Sequence, residues 1–314
     1  MSSVIAIDAT GNLVSVESIV AVTTEVCCQN DASFILIGDS INITKSLAEN
    51  SLPEFDISIH HLDIGAGEDP ELAFIAHARA IAEEGDADIV LSFGEYESFL
   101  KKGLAEGRLF EGLSNPAALD ILFFSGRAKA FLDVGAAPAI NGDRMLELVK
   151  LGSAFAAERL KINEPKISII KPVSDIGLCE KAFELLRDNF EGFSGLISPS
   201  DLFEEDADAI VADGITGKLV GSMLRGYTAY IARRTGDSGD KRGKQFWGSA
   251  DKKATGEFAE DIERSLECGT MLLGYDAPYL FLPPSLSEIQ LQSAVSLASV
   301  SDFRLAEKFA SFSF

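Results

Sequence analysis

Four short segments combine residue types that could do chemistry. They are Asp8-Ala9-Thr10-Gly11, Ser92-Phe93-Gly94, Asp133-Val134-Gly135-Ala136 and Asp213-Gly214-Ile215-Thr216-Gly217-Lys218. Each follows a run of apolar, often β-branched residues, as a buried strand would, and then reaches a glycine. In open α/β sheets the ligand crevice lies beyond the carboxyl ends of the strands, where a glycine-bearing turn lets backbone N–H groups approach an anion. Such turns suit phosphate binding and the stabilisation of a developing oxyanion, and this chemistry needs no side-chain nucleophile. The candidate binding set is therefore Asp8, Gly11, Ser92, Gly94, Asp133, Gly135, Asp213, Gly214, Thr216, Gly217 and Lys218, with no catalytic side chain singled out. Asp133 and Asp213 have a second reading, as acceptors for the first N–H groups of a following helix.

The elements that must position these turns alternate along the chain. Val4 to Ile7 and Phe34 to Ile37 read as strands on either side of an apolar stretch from Val14 to Val26, a β-α-β pattern. Ile57 to His60 and Asp88 to Ser92 are further strands. Between them a helix opens at Asp69-Pro70-Glu71 and closes at Gly85. Lys129 to Val134, Lys166 to Ile170, Gly195 to Ser198 and Ala209 to Ala212 continue the strands, with helices over Asp143 to Leu160 and Ile176 to Asn189. Alternation of this kind predicts a mostly parallel sheet covered on both faces, a three-layer α/β/α fold. The expected organisation is one α/β unit over residues 1–314.

Composition narrows the function. The chain has 314 residues, 46% of them hydrophobic, enough to bury a full core. Its 49 acidic residues outnumber 27 basic ones, for a formal charge of −22, which argues against a nucleic-acid partner. Cys27, Cys28, Cys179 and Cys268 lack metal-ligand spacing, and His60, His61 and His77 are read as structural, so neither a metal nor another cofactor is expected. The N-terminus lacks the basic and apolar regions of a signal peptide, and no run is long enough to span a bilayer, so a cytoplasmic protein is expected. One stretch departs from the acidic whole. From Lys218 to Lys253 there are nine cations against only Asp237, Asp240 and Asp251, together with the single tryptophan, Trp247. A solvated loop is the plain reading of it, and contact with an acidic carrier or an anionic membrane the functional one.

The opening Ile5-Ala6-Ile7-Asp8-Ala9-Thr10-Gly11, the run Phe131-Leu132-Asp133-Val134-Gly135-Ala136 with Leu151-Gly152-Ser153-Ala154, the segment Asp213 to Gly217, and Cys268 to Pro278 resemble the PlsX-type phosphate acyltransferases of bacterial phospholipid synthesis. The resemblance extends, with gaps, over nearly the whole chain. It implies a fold related to isocitrate dehydrogenase and phosphotransacetylase. It also implies a reaction in which inorganic phosphate displaces acyl carrier protein from a fatty-acyl thioester to give an acyl phosphate. Residues 218–267 then correspond to a basic, helical insertion directed toward the partner subunit of a homodimer and toward the membrane, giving peripheral contact through residues 218–253.

Departures from the family pattern point the other way. The family's SAGNTGA becomes Ser92-Phe93-Gly94-Glu95-Tyr96-Glu97-Ser98, which brings two carboxylates where a phosphate is expected. The asparagines of DVGAN and DGFTGN become Ala137 and Lys218, the histidine of AHGSSD aligns with Pro283, and of a basic run before the SAGNTGA strand only Arg79 remains. Weak turnover is the expectation, with Lys218 as the one change favouring an anion. The alternative is a relative that has lost the chemistry and serves as a binding or partner subunit. A metal- and NAD-dependent decarboxylating dehydrogenase is disfavoured, because the sequence shows no metal-binding aspartate cluster and no arginine pair for a dicarboxylate.

Overall fold

The computed structural model describes residues 3–30, 32–49, 56–65, 67–137, 141–172, 180–236, 260–261, 264–265, 268–299 and 305–311. The chain forms two compact units, one from residues 1–116 and 269–311 and the other from 117–268 with 312–314.

The first unit holds β1 (Ser3–Ala9), α1 (Val16–Gln29), β2 (Ala32–Gly38), α2 (Ser40–Glu49), β3 (Ile57–His61), α3 (Pro70–Glu84), β4 (Ile89–Phe93) and α4 (Tyr96–Lys101). Far along the chain it is completed by β10 (Thr270–Leu273), β11 (Tyr279–Leu282), α8 (Glu288–Ser299) and α9 (Ala306–Ser311). Its strands run in the order β3-β2-β1-β4-β11-β10, parallel except for β10. The centre reads as unbroken apolar runs, Ile5 to Ile7 and Ile89 to Leu91, all buried, as a sheet covered on both faces requires. Strand order steps outward from β1 to β3 and then back to β4, so right-handed crossovers place α1 and α2 on one face and α3 on the other. The start and stop of α3 follow from its ends. Asp69 accepts the Glu71 N–H at 3.0 Å, Pro70 sits in the first turn, and Gly85 adopts the left-handed conformation (φ 83°) that ends the helix.

The second unit holds β5 (Ala117–Phe124), β6 (Arg127–Leu132), α5 (Gly142–Glu158), β7 (Ile167–Ile170), α6 (Glu180–Asn189), β8 (Phe193–Ile197), β9 (Ala209–Val211) and α7 (Gly214–Gly236). The strand order is β5-β6-β9-β7-β8, with the β5–β6 pair antiparallel and the rest parallel. The β5–β6 hairpin turns on Ser125 (φ 52°) and Gly126 (φ 74°), a two-residue turn whose positive φ values match the twist of the strands it joins. Gly152, inside α5, lets that helix close on the sheet: a Cβ there would stand 3.4–3.6 Å from Leu132, Ala209 and Val211.

The expected α/β class with mostly parallel strands holds in both units. The antiparallel pairs β5–β6 and β10–β11, and the helix α2, are additions to the elements expected from the sequence.

Candidate functional site

Within the first unit, Asp8 and Ser92 stand at the carboxyl ends of the neighbouring strands β1 and β4. The Ser92 hydroxyl donates to Asp8 Oδ2 at 3.0 Å, while Asp8 Oδ1 accepts both the backbone N–H (3.1 Å) and the hydroxyl (2.7 Å) of Thr10. Burial pushes the Asp8 carboxyl above its usual range. The Thr10 and Ser92 donors oppose that shift, and the charge of Glu71 adds to it. Glu71 lies in the first turn of α3, accepts the Ser98 hydroxyl at 3.1 Å and pairs with Lys102, which also pairs with Asp69. Nothing in the spacing of Glu71 and Lys102, 31 residues apart, signals this cluster. Gly11 (φ 75°) makes the turn after β1. Gly94 (φ 143°) lies under Leu13, whose Cδ1 would be 3.3 Å from a Cβ placed there.

The Glu95-Tyr96-Glu97 segment divides by environment. Glu95 is exposed at the head of α4 with no side-chain cap bond, Glu97 is half-buried, and Tyr96 turns into the core 6.3 Å from the Phe281 ring. Arg79 is engaged within its unit: its Nη1 donates to the Gly103 carbonyl at 3.2 Å and its Nε lies 4.0 Å from Glu83.

Within the second unit, Asp133 and Asp213 follow the parallel neighbours β6 and β9, so they share one sheet edge. Both are buried, 1% exposed. The Asp133 carboxylate gathers four backbone donors: Oδ1 accepts from Ala118 (3.0 Å), Gly135 (3.0 Å) and Ala136 (2.8 Å), and Oδ2 from Ala137 (3.1 Å). Arg144 of α5 lies 3.7 Å from Oδ2 and 3.0 Å from Glu147. Burial pushes the Asp133 carboxyl upward against these donors and Arg144. Asp213 caps α7, with Oδ1 accepting the N–H groups of Ile215 (3.1 Å) and Thr216 (3.0 Å). The cap of α5 is Asn141, which accepts the Arg144 N–H at 2.8 Å, so Asp133 secures its own turn and leaves the following helix to another residue.

Two glycines bring the Asp133 and Asp213 turns together. A Cβ on Gly214 would collide with the Ala137 carbonyl oxygen, and one on Gly217 with the Asp133 carbonyl oxygen. The first turn of α7 therefore rests directly on the 133–137 backbone. Thr216 is buried beside this contact, and Lys218 is exposed on the same turn. Farther along α7, Arg225 pairs with Asp120 of β5. The expected insertion over residues 218–267 coincides with α7 as far as Gly236, and residues 237–259 lie outside the described residues.

The arrangement has a definite chemical content. N–H groups of Thr10, Gly135, Ala136, Ala137, Ile215 and Thr216 already donate to the three aspartates, and the same aspartates shape the turns. Gly214 opens α7 against the Ala137 carbonyl, and Lys218 is exposed one turn further on. Among the described residues, no three histidine, cysteine or acidic side chains stand together as metal ligands, and no helix is long and apolar enough to cross a membrane.

Comparison with known proteins bears on what the arrangement serves. The sequence profile of a family described as fatty acid synthesis protein matches residues 3–299. A phosphate acyltransferase from Staphylococcus aureus strain JH9 is 30% identical over 225 residues, covering 69% of each chain, and that of the bovine strain RF122 is 29% identical over the same length. Among solved structures, a phosphotransacetylase from Streptococcus pyogenes superposes with a TM-score of 0.60 at 15% identity, covering 98% of this chain and 95% of its own. A branched-chain phosphotransacylase from Enterococcus faecalis V583 gives 0.54 at 13% identity, covering 98% and 99%. A putative 4-hydroxythreonine-4-phosphate dehydrogenase from Salmonella typhimurium gives 0.53 at 12%, covering 95% and 99%. At such identities the structural likenesses show the fold alone.

Proposed function

The chain belongs to the fatty acid synthesis protein family, the PlsX-type phosphate acyltransferases, and from that premise we propose that it forms acyl phosphates from fatty-acyl carrier protein and inorganic phosphate, at a low rate. A phosphate oxygen attacks the thioester carbonyl carbon, the C–S bond breaks, and the proton carried by hydrogen phosphate ends on the departing thiol. Asp133 and Asp213 hold the turns of the second unit that frame the reaction, and Asp8 and Ser92 hold the corresponding turns of the first unit. Gly11 and Gly135 allow those turns, Gly94 leaves room beneath Leu13, and Gly214 and Gly217 allow the close seating of α7. Thr216 lies buried between the two aspartate turns, and Lys218 supplies the charge that faces phosphate. The observation that carries the low rate is the engagement of so many turn N–H groups by aspartate oxygens, with two further carboxylates at Glu95 and Glu97.

Trapping the product with hydroxylamine tests this. Palmitoyl carrier protein and phosphate should yield hydroxamate slowly. The double change Glu95→Asn/Glu97→Gly should raise the rate about fivefold, as expected for removing charge repulsion of ~1 kcal/mol. The same engaged donors favour a second reading, a partner subunit without turnover. No hydroxamate from either form, with no heat of phosphate binding, would select it.

Self-association belongs to the same proposal. Ile215, Leu219, Met223, Tyr227 and Tyr230 are each at least half exposed and recur every three or four residues, so they form one apolar stripe along α7. A second copy presenting the same stripe covers it in a two-fold pair. Light scattering should report a dimer for the native chain and a monomer for Leu219→Lys/Met223→Glu; an unchanged mass would remove the stripe from the interface.

A further inference from the structure

His60 on β3 and His77 on α3 meet across two elements: Nδ1 of the first lies 3.2 Å from Nε2 of the second, with ring planes 74° apart. The ring centroids are 5.4 Å apart, close to the N···N distance extended by the two ring radii, so the imidazoles meet end-on. An end-on pair aims the hydrogen of one ring at the lone pair of the other. A chelate would aim both lone pairs at a third point, so the geometry is that of a hydrogen bond rather than a metal edge. β3 is the outer strand of its sheet, and this bond ties it to α3.

We propose that His60 and His77 form a proton-counting clasp that holds α3 to the outer strand at neutral pH and opens when both rings are protonated. In the neutral pair, one facing nitrogen carries a hydrogen and the other accepts it. A first added proton goes to an outward-facing nitrogen and leaves an imidazolium bonded to an imidazole, a stronger bond than before. The second proton leaves two donors and two positive charges facing each other, and the bond cannot survive.

β2 and β4 bring no ionisable side chain; α2 carries Lys45 and Glu49, and α4 carries Glu97 and Lys101. His61, next on the strand, accepts the Ser40 N–H at 3.2 Å. Asp69 and Glu71 are paired with Lys102, and Arg79 approaches Glu83. His77 is held below the ordinary histidine range first by burial and then by His60, with no carboxylate contributing. His77, whose folded-state value lies below the unfolded one, is the ring that takes the second proton, so the stability it contributes is present above about pH 6.5 and is lost as pH falls toward its folded-state value. The clasp is independent of the catalytic reading.

The chain has only three histidines, so their nitrogen resonances can be followed singly by NMR. In the native protein the His60–His77 pair should take up two protons in separate steps, the second below the ordinary histidine range. Amide exchange along β3 should accelerate with that second step. In His77→Gln, and separately in His60→Gln, the remaining partner should titrate once, and the unfolding midpoint should fall less between pH 7.5 and 5 than in the native chain. Two independent titrations near pH 6.5, or equal loss of midpoint in native and both variant chains, would overturn the proposal.

Discussion

Replacing Asp133 tests directly whether one carboxylate organises the turn on which α7 rests. Asp133→Ala strands the N–H groups of Ala118, Gly135, Ala136 and Ala137, and the bonds to Ala118 and Ala137 are fully buried. A buried donor left without an acceptor costs about 1–3 kcal/mol, so those two account for about 2–6 kcal/mol. The part-buried pair at Gly135 and Ala136 adds less, because water reaches it. Arg144, with a side chain 5% exposed, loses one anionic neighbour but keeps Glu147 at 3.0 Å, which limits that contribution. The whole comes to about 3–7 kcal/mol, a large part of the ~5–15 kcal/mol by which domains are ordinarily stable. Asp133→Asn is the informative companion. Its amide oxygen in the Oδ1 position keeps three of the four donors, and only the Ala137 N–H then meets an amine, so about 2 kcal/mol is expected. Urea unfolding followed by far-ultraviolet circular dichroism measures both losses, and amide exchange at residues 135–137 localises them. Equal losses for Asn and Ala, or a loss below about 1 kcal/mol for Ala, would show that the turn does not depend on this carboxylate.

Gly217→Ala places a methyl group against the Asp133 carbonyl and should destabilise by about 1–3 kcal/mol or more, as overpacking does. Gly226→Ala on the same helix, where a Cβ meets nothing within 4 Å, should stabilise by about 0.5–1 kcal/mol in the same urea assay. Burial pushes the half-buried Cys27 thiol up to about 11. In a Cys28→Ser background its alkylation at pH 8, read by mass spectrometry, should therefore be on the order of a hundredfold slower than that of an ordinary thiol, and should quicken as pH rises toward 10.

The parallel strands were legible because Ile5 to Ile7, Phe34 to Ile37 and Ile89 to Leu91 are continuous apolar runs, and α3 because Asp69-Pro70 and Gly85 mark its ends. The β5–β6 hairpin was not, since Ser125-Gly126 is a weaker turn signal than Asn-Gly and the start of β5, Ala117-Ala118-Leu119, lacks β-branching. At the candidate site the residue types were visible but their bonds were not. A glycine needed for a phosphate and a glycine needed for another stretch of backbone look alike in sequence. What distinguishes Gly217 is a carbonyl at position 133, far earlier in the chain. Asp213 as the cap of α7 was foreseeable from its place before the helix. The convergence of four donors on Asp133 was not, because one of them, Ala118, comes from a neighbouring strand. The His60–His77 and Glu71–Lys102 contacts join separate elements, and no periodicity encodes them.

The seating of β11 between β4 and β10 has a consequence for the protein as it is being made. Val90 to Phe93 pair with Tyr279 to Leu282, a partner that the ribosome delivers almost two hundred residues later. At about 5–20 residues per second, β4 is finished roughly 10–40 s before its neighbour exists. Throughout that interval a strand apolar but for Ser92, Ile89 to Phe93, is an open edge on a nascent chain, the kind of surface that pairs with other chains in a crowded polysome. The first unit is thus begun before the second and can be closed only after residues 117–268 of the second have emerged.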